Sequence, residues 1–154
     1  ERGADEIDLV IPYKKLIAGD AQTVLSYVTE SKKACGSRAQ LKVIIESGEL
    51  KTDALITQAT ELAIEGGADF VKTSTGKVAI NATLESTKIM LTAIKNSNKR
   101  VGFKAAGGVK TVADASDYLA LARAIMGDDY LQANTFRFGA SSLLSDVYTI
   151  LKSN

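Results

Sequence analysis

Five short runs of strand-forming residues recur along the 154-residue chain at a nearly constant interval, and each carries one charged side chain. The runs are 7–11, 41–45, 70–73, 101–104 and 135–138, and their charged members are Asp8, Lys42, Lys72, Lys104 and Arg137. Subtracting these positions gives spacings of 34, 30, 32 and 33 residues. That interval is one strand, one helix and two turns, a repeat of architecture rather than of sequence. The runs are almost continuously apolar, the pattern expected of parallel strands covered on both sides.

Amphipathic segments fill the intervals. Asp20 is placed to cap a helix bearing Val24, Leu25 and Val28, and Asp53 to start another that ends at Gly66-Gly67. Thr83 opens a third helix. Thr111 and Asp114 have the spacing of a capping box before a fourth, which runs to Gly127. A last segment covers 141–152. The order is βαβαβαβαβα, which two α/β folds use: the open doubly wound sheet and the (β/α)8 TIM barrel.

The barrel is the better reading. Charged residues on successive strands converge on one pocket in a barrel, whereas an open sheet spreads them along a row. The structural alternative is that each lysine merely snorkels from a strand end to water. That suits Lys42 better than Lys72 and Lys104, which lead into glycine- and threonine-rich loops. A full barrel typically needs about 250 residues. Residues 1–154 are therefore expected to be the C-terminal part of a single barrel, its last five βα units, truncated or shortened by roughly three. Such a piece exposes two sheet edges, so it is expected to form a homo-oligomer or to pair with a complementing N-terminal fragment.

Composition narrows the chemistry. Nineteen basic and eighteen acidic side chains leave a net charge of +1, which gives no sign of a nucleic-acid partner. No apolar run approaches the ~20 residues of a membrane span, and no signal-peptide pattern opens the chain. Cys35 is the only cysteine, so a disulfide framework or a cysteine-rich zinc site within one chain is ruled out, and a cytoplasmic setting is expected. The chain has no histidine. That excludes Ser-His-Asp and Cys-His catalysis and histidine-ligated metals, leaving Asp, Glu, Lys, Tyr or water to move protons.

Within those limits the lysines stand out. An amine is a poor nucleophile at neutral pH because it is protonated, with an ordinary pKa near ~10.4. Burial and a neighbouring cation both disfavour the charged form. Lys72 and Lys104 on adjacent strands fit that arrangement: one amine to form a Schiff base with a carbonyl, one ammonium to lower its pKa. Asp8 lies in an apolar run and needs partners there. Lys72 or Lys104 fits, for a proton shuttle or for a structural ion pair. Three small-residue loops follow strands, containing Gly76 and Lys77, Gly107 and Gly108, and Gly139, Ser141 and Ser142. Backbone N–H groups in glycine turns and at helix N-termini bind anions, and barrels often hold phosphate in the loops after their last strands. A lysine pair beside an anion site implies a small phosphorylated aldehyde or ketone.

The motifs Gly3-Ala4-Asp5-Glu6-Ile7-Asp8, Leu41-Lys42-Val43-Ile44-Ile45-Glu46, Ala68-Asp69-Phe70-Val71-Lys72-Thr73-Ser74-Thr75-Gly76, Val101-Gly102-Phe103-Lys104 and Arg137-Phe138-Gly139-Ala140-Ser141-Ser142 resemble those of the deoxyribose-phosphate aldolase family, in order and spacing, over nearly the whole chain. The resemblance implies a (β/α)8 barrel and reversible cleavage of 2-deoxy-D-ribose 5-phosphate to glyceraldehyde 3-phosphate and acetaldehyde, with no metal or organic cofactor. It implies Lys72 as the Schiff-base lysine and Lys104 with Asp8 as the proton relay. It places Gly76, Lys77, Gly107, Gly108, Gly139, Ser141 and Ser142 at phosphate contacts, and gives Lys42 no firm role. Ala105 stands where the family often has proline, which removes rigidity from that turn. Two other readings compete: a phosphosugar epimerase, whose metal-dependent forms need the histidines absent here, and an inactive barrel fragment acting as a phosphosugar-binding or assembly module.

Overall fold

Side chains alternate across a β-strand, and here the alternation separates two chemistries. The computed structural model describes residues 3–153. Its strands are β1 (Glu6–Val10), β2 (Gln40–Ile44), β3 (Phe70–Lys72), β4 (Gly102–Ala106) and β5 (Phe136–Gly139). Its helices are α1 (Tyr13–Ile17), α2 (Ala21–Cys35), α3 (Ser47–Leu50), α4 (Asp53–Glu65), α5 (Leu84–Asn96), α6 (Val112–Met126) and α7 (Leu143–Ser153), with a 3-10 turn at Asp128–Tyr130. Leu41, Val43, Val71, Phe103 and Ala105 are fully buried and share one core with Val24, Val28, Ala59, Ala63, Met90, Leu91, Ile94 and Ala122 of the helices. Each large apolar side chain buried this way stabilises the fold by about 1.5–3 kcal/mol.

The other face gathers the strand charges, as the barrel reading expects, but it departs from the expectation of strands apolar on both sides. The strands are not apolar on both sides: Glu6, Asp8, Lys42, Lys72, Lys104 and Arg137 alternate with the core residues. The register aligns Asp8 with Lys42, Lys72 with Lys104, and Lys104 with Arg137. Strand β1 is largely exposed. Lys42 does not snorkel to water; only 5% of it is accessible.

The strand order is β1-β2-β3-β4-β5, every neighbouring pair parallel. A doubly wound sheet reverses its strand order at a switch point; this one steps one way throughout, as a barrel does. The curl is visible in one contact. Arg137 of β5 donates through Nη1 to Glu6 Oε1 of β1, the opposite edge. In a flat sheet those edges would be roughly 19 Å apart, at ~4.8 Å per step. The chain is thus five consecutive units of a (β/α)8-type barrel.

Local signals explain where helices start. Asp20 accepts from Thr23 N–H at 3.1 Å, and capping boxes close at Thr83 with Ser86 and at Thr111 with Asp114. Helix α4 starts at Asp53, as expected, and its cap is Thr52, whose side chain accepts from Leu55 N–H at 3.3 Å. The short α1, α3 and the 3-10 turn carry too few residues to show a helical period.

Candidate active site

Register does most of the assembly. Because Asp8, Lys42, Lys72 and Lys104 project from the same face of adjacent strands, their charged ends meet over the sheet. Lys72 Nζ donates to Asp8 Oδ2 at 2.8 Å, and Lys42 Nζ to Asp8 Oδ1 at 2.9 Å. Lys42 also donates to Glu6 Oε2 at 2.9 Å. Glu6 takes Arg137 from its other side, and the Arg137 guanidinium lies 4.4 Å from the Phe70 ring centroid. Gly102 leaves room for that ring: a Cβ there would come within 2.3 Å of it.

The charges set one another. Burial pushes the Asp8 carboxyl up, but hydrogen bonds from Lys72 and Lys42 outweigh it and hold Asp8 below the usual carboxylate range. Burial pushes Lys42 down, yet Glu6 and Asp8 together keep its ammonium above the ordinary value. Lys104 behaves in the opposite way. Burial first, then the positive charges of Lys42 and Lys72, hold it below an ordinary lysine. Among the described residues no carboxylate lies within ion-pair distance of it. The sequence reading makes Lys104 the ammonium that depresses Lys72; the structure instead depresses Lys104, through burial and the charges of Lys42 and Lys72. Asp8 meets Lys72, one of its two expected partners. The second is Lys42, where sequence reasoning offered Lys104.

Three loops border this cluster at the C-terminal ends of the strands. The β3–α5 loop carries Gly76, with φ of +82°, and the exposed Lys77. It ends at Asn81 and Ala82. Ala82 N–H reaches the carbonyls of Ala106 and Gly107 at 3.3 Å, and Asn81 packs so closely on Gly107 that a Cβ would come within 2.7 Å of it. The β4–α6 loop turns at Gly107 and Gly108, with φ of +76° and +89°, values that suit glycine. Gly139 closes β5, where its carbonyl accepts Gly107 N–H at 3.0 Å. Added bulk at Gly139 would come within 3.0 Å of Lys104 Cε. Ser141 and Ser142 precede α7, and the Ser142 hydroxyl donates to Lys110 O at 3.3 Å. Glycine turns and the start of α7 thus share the strand end where the lysines lie. A separate cleft of about 850 Å³ lies between β1 and α2, lined by residues such as Ile7, Leu9, Ala34 and Cys35. It is remote from Lys72 and Lys104 in the strand order.

Sequence reading missed Glu6 and left Lys42 without a role. The signal was present: Glu6 and Asp8 are two apart on one strand and so share a face. Among the described residues no group of three metal-ligating side chains is placed to hold an ion.

A one-way parallel sheet with an amine-rich inner face makes this chain an α/β barrel segment built around lysines. It belongs to the DeoC/LacD aldolase family, whose sequence profile matches residues 1–147. A deoxyribose-phosphate aldolase from Agrobacterium fabrum is 58% identical over 149 residues, covering 97% of this chain and 58% of that protein. A Toxoplasma gondii protein designated a deoxyribose-phosphate aldolase superposes with a TM-score of 0.87 at 28% identity, over 98% of this chain and 61% of that one. The deoxyribose phosphate aldolase of Aeropyrum pernix, described as tetrameric, gives a TM-score of 0.71 at 25% identity, over 97% and 56%. The chain spans under two thirds of the length of these relatives.

Proposed function

We propose that this chain carries the reacting residues of a Schiff-base aldolase acting on 2-deoxy-D-ribose 5-phosphate. The observation that supports it most is the grouping of Lys72, Asp8 and Lys104 on one face at the loop-bearing end of the barrel. Lys72 adds to the aldehyde carbon and water leaves, giving an iminium. The sugar's 3-hydroxyl gives up its proton, the C2–C3 bond breaks, and its electron pair enters the iminium as an enamine. Glyceraldehyde 3-phosphate departs. Protonation of the enamine and hydrolysis return acetaldehyde and free Lys72. Asp8 accepts from the Lys72 amine, and Lys104, whose amine burial and neighbouring charges hold below the ordinary lysine value, exchanges protons through water. Gly76, Lys77, Gly107, Gly108, Gly139, Ser141 and Ser142 hold the phosphate through backbone N–H groups, hydroxyls and one ammonium.

The reading includes association. Ile7 and Val10 on β1 are about 40% exposed, and among the described residues no strand pairs with the outer edge of β1. A second copy, or a complementing fragment that supplies further βα units, covers that edge. A cytoplasmic setting goes with it, and Cys35 is a free thiol.

Acetaldehyde release from 2-deoxy-D-ribose 5-phosphate tests the function. The wild-type chain should release it, and Lys72→Met should lower the rate by roughly a thousandfold or more, since the electron sink is gone. Equal turnover by Lys72→Met would remove the proposal. Phosphosugar binding with no turnover in the wild type would favour the non-catalytic module.

A further inference from the structure

Glu46 combines three features that seldom coincide. It is an acidic residue only 2% exposed, its backbone is left-handed at φ +55° and ψ +57°, and it lies two residues beyond β2. For a residue with a Cβ that conformation costs about 1–2 kcal/mol, and it persists only where surrounding structure imposes it. The surroundings are visible. On either side, Ile45 N–H donates to Lys72 O at 3.1 Å and Ser47 N–H to Thr73 O at 2.9 Å, so the ladder between β2 and β3 continues past the strands. Between those bonds the side chain turns toward the next loop, and Glu46 Oε1 accepts Thr75 N–H at 3.0 Å.

Thr75 is three residues after Lys72 and immediately precedes Gly76 and Lys77. The other side of this segment is tied to β4. Thr73 Oγ1 accepts from Ala106 N–H at 3.0 Å and donates to Ala106 O at 3.2 Å, and Ser74 Oγ donates to the same carbonyl. The segment 73–75 is thus held from both flanks: Glu46 ties the Thr75 backbone to the end of β2, and the Thr75 hydroxyl in turn accepts Lys77 N–H at 3.1 Å across Gly76. Lys72 does not depend on the Glu46 bond. Its carbonyl is fixed by Ile45 and its amine by Asp8.

We propose that Glu46 is a positioning residue that sets the Thr75-Gly76-Lys77 turn for the phosphate and so favours phosphorylated over unphosphorylated aldehydes. The inference rests on the aldolase reading above. It separates two properties that reading leaves together: imine formation at Lys72 and capture of the phosphate end.

Glu46→Gly is the informative change, because glycine adopts the left-handed backbone without strain while the acceptor is deleted. Glu46→Gln keeps a carbonyl oxygen in place. Borohydride trapping is measured for wild type and both variants, with acetaldehyde and with 2-deoxy-D-ribose 5-phosphate, alongside hydrogen exchange at the Thr75 amide. In Glu46→Gly, trapping of acetaldehyde should stay within about twofold of wild type. Trapping of the phosphorylated aldehyde at low concentration should fall about tenfold, the effect of one hydrogen bond. Thr75 amide exchange should accelerate by a similar factor, and Glu46→Gln should restore both. Unchanged Thr75 exchange, an equal loss for both aldehydes, or a Glu46→Gln variant as impaired as Glu46→Gly would overturn the proposal while leaving Lys72 in its role. A wild-type chain that traps neither aldehyde would instead overturn the aldolase reading, and this inference with it.

Discussion

The two faces of the sheet are built from alternate residues of the same strands, yet they follow different physics. On the helix-covered face Val43, Val71 and Phe103 have no exposure and belong to the apolar core. On the inner face their chain neighbours Lys42, Lys72 and Lys104 gather around two carboxylates. One face is stabilised by removing carbon from water. The other holds more positive than negative charge, and one amine is left without an acid. Burying ions stabilises little even when they are paired. The inner face is therefore carried by the outer one, and changes on the two faces should differ in size and in pH dependence.

Phe103→Ala tests the larger contribution. It empties a fully buried ring site beside Phe136 and should cost about 3–5 kcal/mol in urea unfolding. A cost under about 1 kcal/mol would mean that the helix-covered face is not the source of stability.

Asp8→Asn should cost less, about 1–2 kcal/mol near pH 7, because Asp8 is partly open to solvent and Lys42 keeps Glu6. The cost should also depend on pH. The folded pKa of Asp8 lies below its ordinary 3.8, so its stabilisation is present above that ordinary value and fades as pH falls through the folded one. Wild-type and Asp8→Asn unfolding free energies should converge in acid. A gap that stays constant with pH would show that lost packing, not charge, is responsible.

Lys104→Met sharpens the contrast most, although its effect is the smallest. The folded chain disfavours the Lys104 charge. At neutral pH the unfolded chain binds that proton more readily, and the penalty on folding fades as pH rises through the depressed value toward 10.5. The substitution should be neutral, or stabilising by under about 1 kcal/mol. It should also flatten the rise of stability on the alkaline side of pH 7. Lys42→Met should raise the Lys104 pKa more than Lys72→Met does, since the Lys42 charge acts more strongly on it. Carbon-13 NMR of methylated lysines reads both shifts. A marked loss of stability in Lys104→Met would make that lysine part of the scaffold.

The architecture was legible in the sequence because strand spacing and helix caps are local. Thr83 opens its helix as expected, Thr111 forms the capping box that its spacing to Asp114 implies, and each strand ends within two residues of its expected place. What lay beyond sequence was pairing across the inner face. The strands read as almost continuous apolar runs, each with one charge, because each charged residue is flanked by core residues, so the two-faced alternation hid inside short runs. Lys42 bonding to Asp8 depends on parallel register, and Arg137 meeting Glu6 depends on the curl of the whole sheet. Neither is written in any one segment. The same holds for Glu46, whose role comes from a left-handed bend and a loop 29 residues away.

The role proposed for this inner face is to direct one amine, Lys72, to attack a carbonyl while its neighbours manage protons. Borohydride reduction in the presence of 2-deoxy-D-ribose 5-phosphate, followed by peptide mass mapping, examines it most directly. The expected result is a single adduct on Lys72 at near-stoichiometric yield. An adduct on Lys104 with Lys72 unmodified, or label spread evenly over exposed lysines such as Lys77, would contradict it.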